Sequence, residues 1–347
     1  MKWILRRPWP QWAILSILHA LLTLPAFASP RDSLLLVFWN VENLFDCDGN
    51  NGGKEWTPEG NKHWTPGRLR DKCNAIGKTL LWIGEKEGML PDLVALAEVE
   101  NDDVLKRLIY SDVLRKCGYA FVHFDSPDPR GIDVALLYRK ERFPALQAET
   151  IPIPGFRTRD ILRCLIPLPI DTLTLLINHH PSKLGGEARS HARREAVMRV
   201  LRKACLFPAD GTLSPRLLTI ATGDFNDTPD GAAFHLLDSV LVCLSRPLHQ
   251  RGEGSLKYNG KWELIDHFWV SPDLAPSYEP ARDSLRYCCA TAIVRAPFLL
   301  TPDTAHAGDK PCRTYLGPRY IGGVSDHLPI LLKILYTCPQ SGAKPRF

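Results

Sequence analysis

Asp224, Asn226 and Asp227 crowd into the segment TIATGDFNDTPDG (219–231), directly after an apolar run. Comparable polar clusters recur along the chain: Asn40 and Glu42, Glu98, Asn178 and His179, Asp266, and Asp326 with His327. Together they offer carboxylates, carboxamides and two imidazoles. Hard oxygen donors of this kind suit Mg²⁺, with Mn²⁺ or Ca²⁺ as substitutes, and Mg²⁺ is commonly held by one or two carboxylates with substrate phosphate completing its shell. His179 and His327 can exchange protons near neutral pH. A carboxylate such as Asp266 can fix the tautomer of a neighbouring imidazole. No nucleophilic Ser or Cys motif accompanies them. The chemistry that fits is attack of water on a phosphate ester.

Such a set works only if the fold gathers it. From Ser33 onward, apolar strand patterns alternate with amphipathic helices, which implies α/β or α+β layers. SLLLVFW, PDLVALA, TLTLLIN and PRLLTIATG read as buried strands, and Asn40/Glu42, Glu98, Asn178/His179 and Asp224/Asn226 follow their C-terminal ends. SDH (325–327) precedes its strand, and IDH (265–267) sits near the start of one. Strands that begin where their neighbours end are antiparallel to them, so a mixed sheet can bring all six clusters to one edge. Parity adds a constraint, because successive strand residues face opposite sides. Asp224 and Asn226 share a side, as do Asn40 and Glu42, whereas His179 and His180 cannot both enter one site. Thr65-Pro66 reads as an N-cap and first helical residue, opening a helix to about Trp82. NDDVLKRLIYSDVLRKCG reads as one helix ended by Gly118, and GEARSHARREAVMRVLRKAC as another, with a basic face that is either solvated or a phosphate-backbone contact.

The chain has 347 residues, enough for a large core. Residues 1–28 combine Lys2, Arg6 and Arg7, an uncharged apolar stretch and Ala26-Phe27-Ala28, the pattern of a cleaved secretory signal peptide. The expected product is exported, periplasmic or extracellular, and carries no transmembrane span. Removing the segment leaves 40 basic against 38 acidic residues, so the net charge falls from +5 to +2. Nucleic acid would then be held by a local basic patch, since the chain is no bulk polycation. All ten cysteines follow the signal, and an even count in an exported chain suggests some disulfides. The absence of a C-x-x-C pair argues against a structural zinc site of thiolates.

FWNVENLFD, LAEVEN, RGIDVALLYR, TRDIL, INHHPSKLGG, GDFND, IDHFWVS and SDHLPI, in this order and spanning about Val37 to Ile334, resemble the endonuclease/exonuclease/phosphatase superfamily, and within it an exported bacterial endonuclease-like branch. The resemblance implies a four-layer α/β/β/α sandwich with two mixed sheets packed face to face, within a domain spanning 31–338 and followed by a short tail, 339–347. It implies Glu98 as the main metal ligand, with Asn40, Glu42 and Asp326 nearby. It gives Asp224 and Asn226 the attacking water and a phosphate oxygen, and Asp266 the orientation of a histidine. His327 becomes base or phosphate-stabilising cation, and His179 the second catalytic histidine, beside the leaving group. Arg159, and more weakly Arg130, Asn178 and Asp133, fall at positions near phosphate. His180 is expected to pack at the wall of the site, and His267 to be a strand neighbour. The implied activity is metal-dependent hydrolysis of nucleic-acid phosphodiesters, DNA before RNA, most readily as an endonuclease and with no obligate protein partner. The fold alone does not name the substrate. A phosphatase or phospholipid phosphodiesterase of inositol phosphate or sphingomyelin type shares it, and a non-catalytic binding subunit would keep only its shape.

Overall fold

The computed structural model describes residues 33–50, 53–168, 171–183, 186–207, 218–276 and 286–337. The expected signal peptide and the tail 339–347 lie outside these residues. Among the described residues, no helix is long and apolar enough to cross a membrane.

The main strands are β1 (Ser33–Leu44), β2 (Leu93–Val99), β3 (Tyr119–His123), β4 (Asp133–Arg139), β5 (Gln147–Ile151), β6 (Ile161–Pro167), β7 (Thr172–His179), β8 (Leu218–Asp224), β9 (Val242–Cys243), β10 (Asp266–Val270), β11 (Arg286–Ile293) and β12 (Ile330–Thr337). They form two six-stranded sheets, in the orders β11-β12-β1-β2-β4-β3 and β5-β6-β7-β8-β10-β9. The longer helices are α1 (Pro66–Glu87), α2 (Asp102–Ile109) and α3 (Glu187–Leu206).

Strand parity builds the layers. In β1, Leu35, Val37 and Trp39 join Leu69, Ile76 and Leu80 of α1 in one apolar layer. The alternate residues Leu36 and Phe38 meet Leu175 and Ile177 of β7, Ile220 of β8 and Phe268 of β10 between the sheets. On the far side, Leu176 of β7 and Ala221 of β8 pack under Val197 and Leu201 of α3. The result is the expected helix–sheet–sheet–helix sandwich, with both sheets mixed.

Helix limits follow local chemistry. The Thr65 hydroxyl accepts the Arg68 N–H, Pro66 takes the first helical position, and Gly88 closes α1 at φ 74°. The helix therefore runs a full turn beyond Trp82. The next helix is shorter than its apolar pattern suggests. It stops at Ile109, and residues 110–117 fold into turns in which the Ser111 hydroxyl accepts the Leu114 N–H at 3.3 Å. Serine competes with helical hydrogen bonds in this way. Cys47, Cys73, Cys117, Cys164, Cys205, Cys243 and Cys312 are free thiols, so these seven supply none of the expected disulfides.

Candidate active site

The sheet directions bring the clusters to one edge. β1 runs parallel to β2, and β7 parallel to β8, while β10 is antiparallel to β8 and β12 antiparallel to β1. Polar residues at the C-terminal ends of the first four therefore meet those at the N-terminal ends of β10 and β12. His179 pairs across the ladder with Asp224, and Asp224 with Asp266. Gly223 permits the close approach of β7 and β8, since a Cβ there would stand 2.2 Å from the Asn178 carbonyl oxygen.

Parity selects what enters. Asn40, Asp224, Asp266 and His179 continue the inter-sheet faces of their strands, and the two sheets touch where Asn40 Nδ2 donates to Asp224 Oδ2 at 3.0 Å. The other Asp224 oxygen accepts the Asn226 N–H at 2.8 Å. His179 Nε2 lies 3.7 Å from Asp224 Oδ2 and 4.0 Å from Glu98 Oε1. His327 Nδ1 sits 2.8 Å from Asp266 Oδ2, while its Nε2 faces Asp224 Oδ2 at 3.8 Å.

Glu98 reaches this group by breaking the alternation. Three β1 residues, 41–43, oppose the single residue 98 of β2 between the pairs Asn40–Ala97 and Leu44–Val99. Ala97 and Val99 then face opposite layers, and Glu98 turns inward at φ 64°. Glu42, Asn43 and Asn226 are also left-handed, at φ 50°, 54° and 52°. Four strained non-glycine residues at one edge cost on the order of 1 kcal/mol each or more, and such strain persists where the surroundings enforce it.

The electrostatics separate the groups. Burial works to raise the Glu98 carboxyl, but Arg130, His327 and the Asn43 N–H outweigh it and hold Glu98 below the ordinary carboxylate range. Burial pushes the Asp224 carboxyl up, against the pull of His327. Burial also disfavours a charge on His327, yet the carboxylate of Asp266, helped by Asp224, holds it well above an ordinary histidine. His179 goes the other way, well below its usual value, through burial and the charges of Arg159, Arg130 and His327. Asp224, Asp266 and His327 have ligand-type atoms within 4.8 Å of one another. Because Asp266 already engages His327 Nδ1, this trio is better built to hold a proton than a cation. Glu98, held below the ordinary carboxylate range, and Asn40 Oδ1, which also accepts the Glu42 N–H at 3.0 Å, are oxygen donors of the kind that fits a hard divalent cation.

Other expected site residues stand elsewhere. Glu42 accepts Arg313 Nε and Nη2 at 3.0 and 2.8 Å on one oxygen and the Thr314 N–H at 2.8 Å on the other. Asp326 is paired to the same guanidinium at 3.0 Å. Both carboxylates are thus paired with Arg313. Arg159 is buried, donating to Asp128 at 2.8 Å and to the His180 carbonyl at 2.9 Å, so it braces the wall. Asn178 faces away from His179 and donates to the carbonyls of Leu176 and Thr222. Arg130 is at the edge, half exposed, 3.4 Å from Glu98 Oε2. Asp133 instead holds Ser126. His180 is fully buried against Phe225, ring centroids 4.7 Å apart, and His267 packs beside the same ring at 5.4 Å. Arg194 of α3 is buried 3.5 Å from Asp227, so part of the basic helix face pins the 226–231 turn.

Sequence reasoning missed Arg313, Asp128, Asn43 and Lys72. Lys72 is buried in α1, donating to the Glu42 carbonyl and to Thr314 Oγ1, and burial brings its pKa down to about 8. Asn43 directly follows the Asn40/Glu42 cluster in FWNVENLFD, whereas Arg313, Asp128 and Lys72 lie in no strand-end cluster, and their one available signal was a lysine on the apolar face of α1.

An edge of carboxylates, carboxamides and two differently charged histidines on this sandwich defines a phosphoesterase-type site. The Endonuclease/Exonuclease/phosphatase family profile matches residues 35–335, and the chain belongs to that family, whose members are metal-dependent hydrolases of phosphoester bonds. Among solved structures, the chain is similar to a humanized D. rerio TDP2 carrying 14 mutations, with 16% identity, a TM-score of 0.54, and coverage of 87% of this chain and 99% of the other. It is also similar to D. rerio TDP2 complexed with single strand DNA product, with 16% identity, a TM-score of 0.53, and coverage of 87% and 98%. No curated protein sequence matches it.

Proposed function

We propose that this protein is an exported, Mg²⁺-dependent phosphodiesterase that hydrolyses nucleic acid, most simply DNA, as an endonuclease. The observation that carries this reading is the convergence of His179, Asp224, Glu98 and the Asp266–His327 pair on one edge, with the closest unbonded contacts at 3.7 to 4.0 Å. Glu98 and Asn40 would hold the cation, whose charge would offset that of a phosphate oxygen.

The residues divide the remaining work. Asp224, fixed on both oxygens by Asn226 and Asn40 and raised by burial, takes a proton from the attacking water. Water oxygen bonds to phosphorus as the bond from phosphorus to the leaving oxygen breaks, and the leaving oxygen takes up a proton from solvent. His327 is held protonated by Asp266 and stabilises the developing negative charge. Neutral His179 hydrogen-bonds a phosphate oxygen beside the leaving group. Arg130, Arg313 and Lys183 stand at this edge paired with Glu98, with Glu42 and Asp326, and with Asp227, and the DNA bound to a structural neighbour is what lends support to that substrate class.

The test is relaxation of supercoiled plasmid by the mature chain with Mg²⁺ and with EDTA. Metal-dependent nicking supports the reading. Absence of nicking by a folded protein removes DNA as substrate, and parallel arms with RNA, phosphoinositide and sphingomyelin then separate a different substrate from a binding protein without turnover.

A further inference from the structure

A second cluster flanks the proposed hydrolytic site and takes no part in it. His123 ends β3, and its side chain is 2% exposed. Nδ1 lies 3.0 Å from Oδ1 of Asp102, the first residue of α2. Nε2 is buried without a hydrogen-bond partner and faces Asp133 Oδ2 at 3.5 Å. One ligand atom each from His123, Asp125 and Asp133 falls within 4.8 Å of the others. Asp133 Oδ1 is occupied by the N–H and hydroxyl of Ser126, which leaves Oδ2 for another partner. Beside the trio opens an acidic cavity of about 570 Å³, lined by His123 and Asp125 together with Asp46, Asp48 and Asp102.

The ring nitrogens make this more than an acidic surface. A carboxylate on Nδ1 fixes the proton there and turns the Nε2 lone pair outward, the usual support for a metal-bound histidine. Here the lone pair would face two carboxylates, which is repulsive unless positive charge lies between them. The cluster therefore calls for a positive charge, from a metal or from a proton. One imidazole nitrogen with two carboxylate oxygens favours Zn²⁺ or Mn²⁺ over the all-oxygen preference of Mg²⁺ and Ca²⁺.

We propose that His123, Asp125 and Asp133 form a second divalent-metal site, for Zn²⁺ or Mn²⁺, separate from the Glu98–Asn40 position. Its place gives it a task. The loop 124–132 carries Asp128, which pairs with Arg159, and Arg130, which reaches Glu98. A metal joining its two ends would fasten that loop beside the hydrolytic edge.

The test is Mn²⁺ and Zn²⁺ binding to the metal-stripped mature chain by titration calorimetry, in a Glu98→Gln background that disables the other position. One equivalent should remain bound. It should be lost in Glu98→Gln/His123→Gln and weakened roughly 10- to 100-fold by Asp102→Asn, a change at an exposed supporting residue. Nitrogen NMR of the His123 ring in Glu98→Gln decides even if the His123 variant misfolds. A Zn²⁺-induced shift of Nε2, with Nδ1 still protonated, supports the site. Two protonated ring nitrogens at neutral pH, unchanged by metal, would overturn it and identify a doubly ion-paired imidazolium. Binding that survives in the double variant would overturn it as well.

Discussion

His179 and His180 are consecutive, fully buried and alike in composition, yet they belong to opposite faces of one sheet. On the inter-sheet face, His179 stands 3.7 Å from Asp224, with its Nδ1 lacking a hydrogen-bond partner. On the outer face, His180 packs on Phe225, and neither ring nitrogen finds a partner. β10 repeats the contrast, with Asp266 inward on His327 and His267 outward, its Nε2 2.8 Å from the Asp227 carbonyl. Both rings are buried. Only on the inner face is a histidine held charged, and it is His327, kept so by the Asp266 carboxylate against its own burial. Burial by itself gives a neutral one, with His180 lowered to about 3 and His267 to about 4.

The largest effect in this contrast should come from Asp224→Ala. It removes the group that both inner histidines face, and it should lower hydrolysis by roughly 10³-fold or more, measured as single-turnover cleavage of a phosphodiester substrate. Asp266→Asn should cost roughly 10²-fold and leave a second signature. Asp266 is the main group raising His327, so without it the imidazole loses its proton at lower pH. The alkaline limb of the rate profile should shift down with it, and proton NMR titration of His327 should follow the same displacement.

Glu42→Gln separates anchoring from chemistry. Its carboxylate holds Arg313 and the Thr314 N–H, so the variant should lose about 1–3 kcal/mol in a denaturant titration, while hydrolysis falls less than tenfold and the metal requirement stays unchanged. A collapse of metal affinity equal to that of Glu98→Gln would return Glu42 to the metal.

The smallest effect on hydrolysis belongs to the outer face. His180→Leu should leave turnover within a few-fold of the parent and stabilise the protein in acid. A histidine lowered in the fold binds fewer protons there than when unfolded. Its presence therefore weakens the fold as pH drops below the ordinary value of 6.5 and continues to do so down to about 3. At pH 5 the difference is about 2 kcal/mol, readable as a Tm gain that fades toward pH 8.

Much of this contrast was legible in the sequence. The period of two assigns His179 and His180 to different faces, and the placement of clusters before or after apolar runs gives the shared edge and the antiparallel β10 and β12. What the pattern could not carry was the exception to the period. Strict alternation from Ala97 sends Glu98 to the outer face, and only the three-to-one bulge against β1 turns it inward. No residue type in VEN announces that bulge. The pairing of Glu42 was hidden for a tertiary reason, since Arg313 arrives from 271 residues away along the chain. Arg159 and Asn178 bear the right chemistry for phosphate, but a buried partner at Asp128 and two backbone carbonyls claim them first.

The most direct test compares neighbours. Plasmid nicking rates should be measured for the mature chain, His179→Ala and His180→Leu, each with Mg²⁺ and with EDTA. Nicking should be metal-dependent, fall by roughly 10²-fold or more in His179→Ala and stay near the parent rate in His180→Leu. Equal rates in the two variants, or nicking that persists in EDTA, would contradict this.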